Sequence, residues 1–271
     1  MNVVDKKNIS NILSFSLTIL LSIFSFNIKA FTLNNNLNLS FSQKDVSVYV
    51  AKNLCDNIGL TESELVELVE KATKQYWNTV STSRLKLKSA GLISVNADYG
   101  SEALCTTNTG SCSVNPQLAF NNGILIACND DTTVNFPNPG LLAVTVPTVI
   151  DGKTIKGSVL LLNDTNSNIL DQKSRDEITA LIAHELGHAI GLGHSPVRDS
   201  LMYYQSIPAR RNLGWDDIDG VSYLYPKEEP VSCGSIVNAD HSNKQGHVLF
   251  AMALGFLISL LTFKSFKSYK R

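Results

Sequence analysis

The chain has 271 residues, 44% of them hydrophobic, and 23 basic against 24 acidic side chains give a formal net charge of −1. That length supports one substantial core and is short for two full domains once the ends are set aside. The near-balanced charge excludes the basic footprint of a nucleic-acid binder, and no repeat of solenoid period occurs.

Lys6 and Lys7 precede an apolar run from Ile12 to Phe26, and Ile28-Lys29-Ala30 suits a processing site, so 1–30 reads as an export signal peptide. An uncleaved signal anchor is the alternative. Residues 31–44 are Asn-rich and polar, an irregular lead-in, and Val46 to Val50 alternates as a strand. Thr61 with Glu64 three residues on is a capping box for an amphipathic helix predicted from Glu62 to Val80. Trp77 extends its buried face. Leu85 to Lys88 and Gly123 to Cys128 are further strands, with a loop-rich region from Asn96 to Asn115 between them. Leu141 to Pro147 follows the Pro137–Gly140 turn, and Pro147 at its end suits an edge strand. Asp151-Gly152 turns the chain into a strand from Gly157 to Leu162.

Ser174 and Glu177 form a second capping box, opening a helix that buries Ile178, Leu181, Ile182, Leu186, Ala189 and Ile190. The other face presents His184 and His188, spaced i and i+4, so that both imidazoles reach one ion. Glu185 stands beside the first histidine, placed to serve as a base without being a ligand. Gly191 can end the helix in a left-handed conformation and return His194 as a third ligand. Three neutral imidazoles with one open position are the pattern of catalytic zinc. A helix of no chemical consequence is the bland alternative, but three of the chain's five histidines sit here at ligand spacing.

Asp216, Asp217 and Asp219 mark the first turn of a last helix that ends near Tyr225-Pro226. Residues 227–247 read as a polar stalk, 248–263 as a transmembrane helix, and 264–271 as a basic cytosolic tail. A helix packed on the domain is the alternative for the apolar segment. Export agrees with the cysteines, which could form two bridges among Cys55, Cys105, Cys112 and Cys128 in any of three connectivities. Cys105 with Cys112 is the local choice, leaving Cys55 with Cys128. Cys233 is the odd one, and Cys233-Gly234 is a candidate C-terminal processing motif. Asp164, Asn166 and Asn168, with Asp171 beyond, form a candidate calcium loop; a solvated strand-to-helix loop is the alternative.

The run His184-Glu185-Leu186-Gly187-His188 through Gly191 to His194 resembles the metzincin zinc metallopeptidases. Ser195, the short spacing to Met202, the start Asp216-Asp217-Ile218-Asp219-Gly220, and Pro139-Gly140-Leu141-Leu142-Ala143 resemble the matrixin branch, as a bacterial member would. The resemblance covers Val46 to Pro226 and implies an α+β fold, a twisted mixed sheet with two long helices and a C-terminal helix, over a catalytic domain placed at 45–226. It implies that Met202 forms a structural Met-turn beneath the zinc. Three departures stand out. The Pro-Arg-Cys-Gly latency segment is missing, and no histidine other than His184 lies between Phe31 and Gly187, so one zinc ion is expected. Tyr204, two after the methionine, is a candidate fourth ligand or transition-state donor, with a packing tyrosine as the alternative.

The expected function is zinc-dependent endopeptidase activity, with Glu185 as general base and then acid. The expected partner is a protein or peptide substrate, added as an extended strand to the edge at Leu141 to Val146. The loop from Tyr203 to Leu213, with Arg210 and Arg211, is expected to border its specificity pocket. The other readings are a catalytically silent surface adhesion module that keeps the zinc helix, and a zinc-dependent amidase with a non-protein substrate. The expected location is exported and membrane- or surface-attached through the C-terminal helix.

Overall fold

The computed structural model describes residues 31–227, apart from 35–36, 54, 107–111 and 206–211. The expected signal peptide, the expected stalk from residue 228 on, the apolar C-terminal segment, the basic tail and Cys233 lie outside the described residues. Among those described, no helix is long and apolar enough to cross a membrane.

Six strands form one sheet: β1 (Ser40–Phe41), β2 (Asp45–Ala51), β3 (Lys86–Ile93), β4 (Gly123–Asn129), β5 (Ala143–Asp151) and β6 (Thr154–Asn163). Among the described residues three α-helices accompany it: α1 (Glu62–Gln75), α2 (Arg175–Ala189) and α3 (Trp215–Leu224). The order is β1-β6-β4-β2-β3, all parallel, with β5 alone antiparallel against β6. This mixed sheet with two long helices and a shorter C-terminal one is the expected fold class.

Alternation along the strands sorts the core into two layers. Ile124, Ile126, Leu160 and Leu162 face the helices and join the main core, whereas Leu125, Ala127, Val159 and Leu161 face a smaller cluster under Tyr99, Leu104, Leu118 and Phe136. Disulfides join Cys55 to Cys128 and Cys105 to Cys112.

Both capping boxes form, Thr61 with Glu64 and Ser174 with Glu177. Helix α1 nonetheless ends at Gln75 rather than Val80, because the backbone at Tyr76 leaves helical geometry and tightens into a 3-10 turn, Trp77–Thr79. That turn drives Trp77 into the core, where its indole N–H donates to the Ala183 carbonyl at 2.7 Å. Within the stretch read as an irregular lead-in, Ser40–Phe41 pairs with Thr154 and Ile155 as a short strand. Nor does Pro147 end its strand. Strand β5 runs on to Asp151, since an edge strand tolerates the missing N–H and a register shift between Pro147 and Val149 absorbs the misfit.

Candidate metal centre

Helix α2 lies almost wholly buried, and its cleft face carries His184, Glu185 and His188. Gly187 is required by its surroundings: a Cβ there would stand 2.3 Å from the Met202 sulfur and 2.8 Å from the Trp77 ring. Met202, itself buried, therefore packs directly against the helix between its two histidines. Gly191 ends the turn after α2 at a φ of 108°, and its own Cβ would meet the Leu39 carbonyl oxygen at 2.2 Å. The chain then doubles back to His194, whose carbonyl accepts the Thr32 hydroxyl.

The expected histidines converge. One ring nitrogen from each of His184, His188 and His194 lies within 4.8 Å of the others. Among the described residues this is the one cluster of three or more histidines, cysteines or carboxylates so placed. Nδ1 of His184 meets the Leu201 carbonyl at 2.8 Å, and Nδ1 of His188 meets the Leu192 carbonyl at 2.9 Å. A carbonyl oxygen can only accept, so both rings carry the proton on Nδ1 and leave the Nε2 lone pair free. Nε2 of His188 faces Nε2 of His194 at 3.2 Å, close to the ~3.3 Å edge of a tetrahedron built from ~2 Å bonds to zinc. Burial, and then neighbouring imidazole charge, hold His188 and His194 below the ordinary histidine value, so both stay neutral near pH 7. Convergent nitrogen donors in this arrangement suit a zinc ion.

The turn beneath them is held by Asp217, which is 2% exposed. Its carboxylate accepts from the Ser200 hydroxyl and from the N–H groups of Leu201 at 2.6 Å, Met202 at 3.1 Å and Gly214 at 2.8 Å. The sequence suggested only a helix-start role for this residue. A second unforeseen partner is Thr145 on β5, whose hydroxyl donates to Oε2 of Glu185 at 2.6 Å. The period-2 pattern that turns Ala143 and Thr145 toward the helices was the available signal.

Tyr204 is 57% exposed; its ring packs on Tyr203 with centroids 4.8 Å apart, and its oxygen accepts from the Gln205 amide at 3.4 Å. In the candidate calcium loop, the Asp164 carboxylate accepts from Ile58 N–H, while Asn168 accepts from Leu170 N–H and donates to the Thr165 carbonyl. The first of these bonds ties the loop to the segment before α1 and the other two close its 165–170 turn, and the calcium expectation gains no support from them. Arg210 and Arg211 fall outside the described residues. A cavity of about 220 Å³ opens beside the helix, lined by Leu142, Leu170, Ile178 and Leu181 with Lys173 and Glu177.

Residues 126–226 match the family model of the matrixins. Metalloendoproteinase 4-MMP of Arabidopsis thaliana is 31% identical over 88 residues, covering 32% of this chain and 26% of that protein. Stromelysin-1 of Rattus norvegicus is 42% identical over 71 residues, 22% of this chain and 15% of its own length. Metalloendoproteinase 1 of Glycine max is 46% identical over 52 residues, 18% of this chain and 17% of its own. The chain thus spans about a quarter or less of these relatives. The matched segment holds β4 to β6, the histidine helix, the methionine turn and α3, and it is over these elements that the chain is matrixin-like.

Proposed function

We propose that the chain is a zinc-dependent endopeptidase that cleaves polypeptides bound as an extended strand along β5. The observation carrying this reading is the convergence of three imidazole nitrogens beside a buried carboxylate. His184, His188 and His194 would hold the metal. When bound, zinc supplies a Lewis acid for the scissile carbonyl and brings the pKa of its water to about 7. Leu201 and Leu192 keep two of the rings oriented through their carbonyls. Glu185 takes the proton of the attacking water on its carboxylate and returns it to the leaving amine. Met202 forms the floor and Asp217 fixes the turn that bears it. Tyr204 is a further candidate donor to the transition state.

Among the described residues strand β5 pairs with β6 alone, so its outer edge could add a substrate strand. The cavity at Leu181, one helical turn before Glu185, would accept an apolar substrate side chain. An amidase would use the same centre, but a free strand edge favours a peptide; an adhesion module has no need of a buried carboxylate beside three imidazoles. The disulfides agree with an exported protein, with 1–30 as its signal, 227–247 as stalk and 248–263 as anchor.

The test is to incubate the full-length protein with denatured protein, with and without chelator, and to measure bound zinc. Chelator-sensitive internal cleavage with one zinc per chain supports the proposal. Zinc binding without cleavage favours the adhesion reading, and release of acyl groups alone favours the amidase.

A further inference from the structure

We infer that Thr145 is a positioning residue for the proton-accepting carboxylate of Glu185, an inference that rests on the endopeptidase reading above. Val144 and Val146 turn to the far face of the sheet and pack on the smaller cluster, whereas Ala143 belongs to the main core on the helix face. Thr145 shares that face with Ala143 and is held in register opposite Leu160. Its hydroxyl donates to Oε2 of Glu185 at 2.6 Å, joining the edge strand to the metal-site helix through a carboxylate that is only 7% exposed.

A glutamate side chain turns about three bonds, and an unanchored one must be ordered anew in each turnover. Threonine is stiff at χ1, so its hydroxyl stands where the strand backbone puts it. Engaging Oε2 fixes the plane of the carboxylate and leaves Oε1 to receive the proton. A strand position whose neighbour on the same face is alanine would serve packing alone with an apolar side chain; a hydroxyl in hydrogen-bond contact with the base does more. Valine has nearly the same shape as threonine and cannot donate, so it separates the two roles.

The experiment compares full-length wild type, Thr145→Val, Thr145→Ala and Thr145→Ser for bound zinc, melting temperature, kcat and KM on one peptide. Positioning predicts normal zinc, KM within about twofold of wild type, and kcat lowered about tenfold to a hundredfold in the valine and alanine variants. Serine, which keeps the donor, restores most of the rate. An unchanged kcat in the valine variant overturns the inference while leaving the endopeptidase reading intact. So does a loss shared equally by the serine and valine variants alongside a lowered melting temperature, which marks a packing role. A wild type without chelator-sensitive cleavage overturns both.

Discussion

His184 and Asp217 are joined through a single residue: Leu201 gives its carbonyl to the imidazole at 2.8 Å and its N–H to the carboxylate at 2.6 Å. The orientation of the first histidine of the site thus depends on a buried acid of the C-terminal helix. Asp217→Ala would leave the N–H groups of Leu201 and Gly214 and the Ser200 hydroxyl without their acceptor, while Met202 N–H keeps the Ser200 oxygen at 2.9 Å. The expected result is a loss of about 3 kcal/mol or more of stability, and zinc affinity weakened about 10- to 100-fold. Thermal melts and a competition titration against a metal indicator measure the two effects separately.

Glu185→Gln keeps the side chain's shape and the Thr145 contact but removes the base. Zinc content should stay at the wild-type level while kcat falls about 10²- to 10⁴-fold. Near-normal cleavage by this variant would remove Glu185 from the mechanism.

Gly187→Ala tests the floor. The new methyl would collide with Met202 and Trp77, and overpacking of this kind costs about 1–3 kcal/mol. A lower melting temperature together with weaker zinc binding is expected. A melt identical to wild type would show that the Met202 side chain moves aside freely.

The two capping boxes predict an acid-dependent term in stability. Backbone and hydroxyl hydrogen bonds from Thr61 lower the Glu64 carboxyl below its ordinary 4.5, and those from Ser174 do the same for Glu177. A carboxyl lowered by folding contributes stability that is fully present above the unfolded value and is lost as pH falls through the folded one. Melting temperatures should therefore drop below about pH 4.5, and the double variant Glu64→Gln, Glu177→Gln should flatten that slope. Equal slopes for the two proteins would refute the assignment.

Features encoded within a few residues were readable in advance. Histidines at i and i+4, a Ser or Thr three before a Glu, and a Gly after the last helical turn each specify local geometry directly. Trp77 in the core and the two disulfide pairs were also legible. Contacts that need tertiary docking were not. Asp217 meets the methionine turn only once α3 is in place, and Thr145 meets Glu185 only once β5 lies over α2. The end of α1 escaped because the apolar spacing continues through Tyr76 and Trp77 while the backbone does not. Strand β5 outran its expected end because an outermost strand tolerates the missing N–H of Pro147 and a register shift beyond it absorbs the misfit.

The bridge between Cys55 and Cys128 encloses a stretch 73 residues apart in sequence, spanning α1 and β3. By the loop-entropy relation, closing it removes disorder from the unfolded chain equivalent to about 4 kcal/mol. Synthesised among abundant thiols, such a polypeptide would be left looser, and it would stiffen fully only in oxidising surroundings. One covalent bond thereby ties the rigidity of the domain to the redox state of its surroundings.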